Sequence, residues 1–241
     1  MPSLTVMVDY IAAFRQAMQY STPDPAAAAM LAELAGADGI GVYLHEDRSD
    51  LTDRDVRVLR QTLHTRLILH MAASSEMVGN ALDIKPQRVV LMPETRDDTP
   101  IETGWDLTAQ GKTLYETIDT LQSNNISVGL CVQSDPHQAK LAHQLHADWV
   151  LIHAGRLCSA ASPQTQRQEL NRIVDTVKMA HKLRLHIAVG RGLDYRLIKL
   201  FAGVSEIDEF SIGRGILARA LLLGMERAVG EMVALIRTNG Q

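Results

Sequence analysis

Aromatic residues are scarce in this 241-residue sequence: three Phe, two Trp and five Tyr make up 4% of it. Its core must be filled by aliphatic side chains, which suits an α/β protein whose buried strands are runs of Val, Ile and Leu. Cysteine is nearly absent. The two present, Cys131 and Cys158, have neither metal-ligand spacing nor the density of a disulfide scaffold, so a reducing cytoplasm is the expected location. No run of 18 apolar residues occurs, which argues against a membrane span. The N-terminus opens on a strand-like run without a basic segment, so no signal peptide is expected. Positive charge is not in excess either: Lys and Arg number 24, Asp and Glu 28, and the two signs are interspersed. A nucleic-acid surface wants a clustered basic face. Neither nucleic acid nor membrane is expected as a partner, and no cofactor is expected.

What the sequence does have is regular alternation. Strand-like apolar runs fall at 4–9, 39–44, 66–72, 88–92, 127–132, 149–153, 185–189 and 207–212. Helical patterns lie between them. Pro23-Asp24-Pro25 opens an Ala-rich helix that stops at Gly36, with proline in the first turn and glycine past the end as helices prefer. Thr52 with Asp55 three residues on reads as a capping box before Val56, Leu59 and Leu63 on one face. Further helices are predicted at about 75–85, 109–122, 136–146, 163–183, 194–201 and 216–237, the last interrupted by Gly224. Eight strand–helix units of about 30 residues imply parallel βαβ units. Their number favours closure into one (β/α)₈ barrel over an open doubly wound sheet, in a single domain spanning residues 1–241. The polar loop 94–106 is long for such a barrel, and long barrel loops usually carry function.

Barrel ligands bind at the C-terminal ends of the strands. Those ends supply Asp9, Tyr10, Tyr43, His45, His70, Glu94, Gln133, His153, Arg191 and Arg214. The sharpest signal is Gly190-Arg191-Gly192 followed by Ser211-Ile212-Gly213-Arg214-Gly215. Glycines at the last two strand ends let backbone amides approach an anion, the next helix points its positive end there, and a guanidinium matches a phosphate's oxygens. A small phosphorylated ligand is the expected partner. Each residue has a plainer reading: Asp9 as a loop cap, His70 and His153 as satisfied core residues, the arginines as surface ion pairs. His45, His70 and His153 with Asp9 could in principle gather round a metal, but no HxH or HExxH spacing supports it, and no metal is expected.

The residues Tyr20 to Pro25 (YSTPDP), 35–40 (AGADGI), Glu46-Asp47-Arg48 and above all 51–63 (LTDRDVRVLRQTL) resemble the pyridoxine 5′-phosphate synthase family. Pro93-Glu94 with Arg96, Gly190-x-Gly192-Leu193 and Ile212-Gly213 extend the likeness over nearly the whole chain. The resemblance implies a (β/α)₈ barrel with extra helices, a homo-oligomer from dimer to octamer, and condensation of 1-deoxy-D-xylulose 5-phosphate with 3-amino-2-oxopropyl phosphate. It also implies where the chain departs from the pattern. The family's strand-2 catalytic histidine falls on Tyr43, its strand-3 catalytic glutamate on His70 and its strand-7 catalytic histidine on Arg191. The arginine and histidine that hold the xylulose phosphate fall on His45 and Asp50, and other ligand-binding positions fall on Met7, Tyr10, Met18, Pro100 and Arg214. Asp9, Gly192 and Gly213 are retained. Arginine cannot serve as a general base, and an unperturbed tyrosine replaces histidine poorly near pH 7.

Three readings follow. The chain is a divergent member that binds an anionic metabolite and catalyses a different step, with His70 moving protons, Asp9 and Tyr43 orienting the substrate, and Arg191, Gly192, Gly213, Arg214, His45 and Asp50 binding it. Alternatively it is a non-catalytic paralogue, a ligand sensor or partner subunit. Third, it is a genuine synthase with an altered site.

Overall fold

The computed structural model describes residues 1–93, 104–109 and 111–239. Eight parallel strands pair in chain order and close, β1 (Ser3–Met7), β2 (Gly39–Tyr43), β3 (Arg66–Met71), β4 (Arg88–Leu91), β5 (Ser127–Val132), β6 (Trp149–His153), β7 (His186–Gly190) and β8 (Glu209–Ile212). Closure is made by the β8–β1 ladder, where Leu4 stands opposite Phe210 and Val6 opposite Ile212. The expected (β/α)₈ barrel is the architecture found.

Ten α-helices surround it among the described residues: α1 (Asp9–Ala17), α2 (Pro25–Leu34), α3 (Asp53–Thr62), α4 (Ser75–Ile84), α5 (Gly111–Ser123), α6 (Pro136–Gln144), α7 (Gly155–Cys158), α8 (Pro163–Lys182), α9 (Arg214–Leu223) and α10 (Met225–Asn239). The caps read from sequence are built. Asp24 accepts from the Ala26 amide at the start of α2, and Thr52 and Asp55 cap α3 reciprocally. Gly224 ends α9 at φ +85° and divides the closing helix in two.

Two expectations need correction. Strand 1 stops at Met7, and Asp9 is the first residue of an additional helix, α1, which buries Ile11 and Ala12. The stretch after strand 7 is a 3₁₀ turn at Leu197–Phe201, not an α-helix. It is set by the Asp194 carboxylate accepting from the Arg196 and Leu197 amides, a local side-chain bond that competes with a regular helix. The loop 154–162 holds the short helix α7. Most of loop 94–106, with Glu94, Arg96 and Pro100, lies outside the described residues. Its end returns to the barrel, where the Trp105 amide donates to the Cys131 carbonyl at 2.7 Å.

The interior is layered. At the N-terminal ends of the strands, Arg88 donates from Nη1 to both oxygens of Glu209 at 3.2 and 3.1 Å, lies 3.4 Å from the Trp149 ring centroid, and both charged residues are buried. An apolar layer follows from five successive strands: Ile68, Val90, Met92, Cys131, Leu151 and Ala188. Above it the mouth is polar.

Candidate active site

Three features hold the β7 and β8 ends together. Gly192 has φ +106°, a region open to glycine, and a Cβ there would come within 2.6 Å of the Cys158 sulfur. At Gly213 a Cβ would sit 2.7 Å from the Tyr10 ring. Gly213 is also the N-cap of α9, so Arg214 starts a helix whose first amides face outward from this turn. Arg191, between Gly190 and Gly192, has φ +69°. A non-glycine residue held there costs about 1–3 kcal/mol, a strain found preferentially at functional sites.

The two arginines go different ways. The Arg191 guanidinium turns over the barrel axis, 5.7 Å from the Tyr43 ring centroid. Its charge is felt by Asp9 on β1's exit, by His70 on β3 and by Cys131 on β5. Arg214 is exposed and stays at the rim, its Nη2 3.6 Å from the place a Gly192 Cβ would occupy. They flank the turn from two sides instead of forming one fork.

Facing Arg191 is Asp9. The residue as a whole is half-buried, but its Oδ1 is sealed from solvent and has no hydrogen-bond partner. Burial raises the carboxyl from 3.8 to about 6, against the opposing pull of Arg191 and, more weakly, His45. Tyr10 beside it is pushed up by burial and then by the Asp9 charge. His70 behaves in the opposite sense. It is 1% exposed, its Nδ1 lies 3.3 Å from Met92 Sδ, and burial followed by Arg191 and Arg88 lowers it to about 3. At neutral pH it is an uncharged imidazole, whereas the Asp9 carboxyl is shifted up toward neutral pH.

Tyr43 donates from its hydroxyl to the Pro93 carbonyl at 3.3 Å, and its ring packs on His45 at 4.0 Å between centroids. The structure therefore brings Asp9, Tyr10, Tyr43, His45, His70 and Arg191 together. Asp50 stands apart, in the loop before α3, where its carbonyl accepts from Arg15 Nη2 at 3.5 Å. Sequence reasoning missed Cys158, which closes the Gly192 turn by donating to the Arg191 carbonyl at 3.8 Å. Burial raises this thiol to about 11, so it packs as a neutral group. A residue five past a strand end in a βα loop was the available signal. Among the described residues no three His, Cys, Asp or Glu side chains converge to hold a metal ion, and no helix is long and apolar enough to cross a membrane.

Comparison with known proteins shows the family. The family model "Pyridoxal phosphate biosynthesis protein PdxJ" matches residues 4–238. The chain is 46% identical over 237 residues to the pyridoxine 5′-phosphate synthase of Desulforapulum autotrophicum, covering 98% of this chain and 99% of that one. It is 47% identical over 236 residues to the synthase of Syntrophobacter fumaroxidans, with the same coverage. Solved structures of lower identity share the barrel alone. N-(5′-phosphoribosyl)anthranilate isomerase from Pyrococcus furiosus superposes with a TM-score of 0.64 at 14% identity, over 99% of this chain and 100% of that one. KGPDC from Streptococcus mutans gives 0.63 at 18%, over 98% and 99%. By the match over residues 4–238 and the identity along nearly its whole length, the chain is a member of the PdxJ family of pyridoxal phosphate biosynthesis proteins.

Proposed function

We propose that this barrel binds a small phosphorylated metabolite at the β7/β8 mouth, and that its proton transfer is carried by Asp9. The phosphate would rest on the turn amides at Gly192 and Gly213, with Arg214 at the rim and Arg191 reaching in from the axis. The observation that carries the reading is the pair of opposed shifts. A carboxyl at about 6, with one oxygen buried and unpartnered, faces a permanent cation, while the neighbouring histidine is held neutral at about 3. Groups driven apart in this way mark acid–base sites. Tyr43 and His45 would orient the substrate. At the positions that the resemblance assigns to three acid–base residues stand Tyr43, His70 and Arg191. That supports a reaction other than the family's condensation, since each such group typically contributes ~10²–10⁴-fold.

The reading that fits the family match better is pyridoxine 5′-phosphate synthesis itself, with 46–47% identity to synthases over 98% of the chain. The purified protein decides between them when supplied with 1-deoxy-D-xylulose 5-phosphate and 3-amino-2-oxopropyl phosphate. Formation of pyridoxine 5′-phosphate at an ordinary turnover, about 1 s⁻¹ or faster, overturns the altered-reaction reading and leaves Asp9 as the base of the synthase. Tight binding of either substrate without turnover supports it. We infer also that the chain self-associates, because Leu34, Tyr20 and Leu222 are 80%, 73% and 84% exposed, and large apolar side chains left bare in this number mark contact surfaces.

A further inference from the structure

A cavity of about 390 Å³ opens beside the ends of β5 and β6, on the same face of the barrel but away from the Gly192 turn. Gln133, Ser134, Asp135, His153, Arg156 and Arg172 are in its wall. Arg156 has no acidic partner among the described residues. Arg172 is bound to Glu169 Oε1 at 3.0 Å, yet its side chain remains 56% exposed. His153 is 3% exposed and accepts on Nδ1 from the Gly155 amide at 3.0 Å, which leaves its proton on Nε2 in the neutral ring.

We propose that this cavity is a second oxyanion site, for a carboxylate or phosphate group of the substrate. The wall carries Arg156, with no acidic partner among the described residues, and Arg172, still exposed beside Glu169, against the Asp135 carboxylate, with an amide and a hydroxyl that can donate. The N-terminus of α6 is not the source of the attraction. Its first residue, Pro136, has no N–H, and the His137 amide is already taken by Asp135 Oδ1 at 2.8 Å. Because Asp135 repels an anion on that side, the oxyanion sits between Arg156 and Arg172, where the guanidinium forks match its oxygens. The site is tied to the first one by α7. Cys158 of that turn packs against Gly192, and Arg156 lines the cavity two residues earlier. The proposal extends the reading above and rests on it for the position of the first anion only.

Calorimetric titration with inorganic phosphate tests it on the intact protein. Two sites are expected, with Arg156→Gln weakening one by roughly tenfold or more, the loss of a charged hydrogen bond, and Arg214→Ala weakening the other. Arg156 is exposed, so its variant folds. A single site removed by Arg214→Ala and untouched by Arg156→Gln overturns the second site while keeping the first. The converse, a single site lost in Arg156→Gln and indifferent to Arg214→Ala, supports the cavity and overturns the β7/β8 cradle instead.

Discussion

Replacing Asp9 by Asn should stabilise the protein at alkaline pH and remove its activity. In the folded chain the carboxyl loses its proton at about 6 instead of 3.8, chiefly because burial penalises the charge. The sign follows from linkage. Between those two values the unfolded chain has already ionised Asp9 while the folded chain still holds the proton, so stability falls as pH rises through this window and stays low above it. At 1.36 kcal/mol per pH unit, the interval is worth about 3 kcal/mol as an upper bound. An asparagine has nothing to ionise. Its advantage over the native residue should vanish below about pH 4, be about half developed near pH 5 and be complete above pH 7. For a chain of this length, about 3 kcal/mol corresponds to a rise in melting temperature of roughly 6–12 °C. The assay is thermal unfolding of both proteins at pH 5 and pH 8. A variant that melts lower than the native protein at pH 8, or that gains equally at both pH values, refutes a buried, destabilised carboxylate.

The cradle predicts that Arg214→Ala weakens binding of a phosphorylated ligand by about 1–3 kcal/mol, the scale of one charged hydrogen bond; unchanged affinity in calorimetry counts against it. Below the barrel mouth, Glu209→Ala should cost about 3–5 kcal/mol in chemical denaturation, because it strands the buried Arg88 guanidinium. A loss under 1 kcal/mol would mean that Arg88 finds water or another acceptor. Binding of a phosphate dianion near Arg191 should draw a proton onto Asp9, so calorimetry near pH 6.5 in buffers of different ionisation enthalpy should show proton uptake of up to about half an equivalent. No dependence on the buffer would place the anion out of reach of Asp9.

The barrel was legible because its signals are local. Eight apolar runs and the caps at Asp24 and Thr52 specify elements within a few residues of themselves. Helix α1 was not, for a matching reason: its N-cap is Val8, which has no side-chain acceptor, so no cap announces it. The site was legible as a set of strand ends but not as a set of roles. His70 and Asp9 are both ordinary titrating groups in the sequence. Burial pushes them to about 3 and about 6, with Arg191 adding to the shift at His70 and opposing it at Asp9, and both depend on tertiary contacts across the barrel. The Arg156–Arg172 cavity was invisible for the same reason, since its wall is drawn from three separate segments.

Burial is the first cause of these shifts, and the permanent cation on the β7 turn acts on all three groups. Arg191 cannot give up its charge near neutral pH, so it adds to the burial that keeps His70 unprotonated and opposes the burial that keeps Asp9 and Cys131 protonated. With Arg214 at the rim, the mouth carries two positive charges and one negative above pH 6, and two positive alone once Asp9 takes its proton. An anion is therefore held more tightly by the protonated state, and by reciprocity the bound anion raises the affinity of Asp9 for its proton by the same factor. The carboxyl at about 6 is thus set to be filled when substrate arrives and emptied when the anion leaves. That is the behaviour required of an acid–base group whose cycle is tied to a phosphorylated ligand.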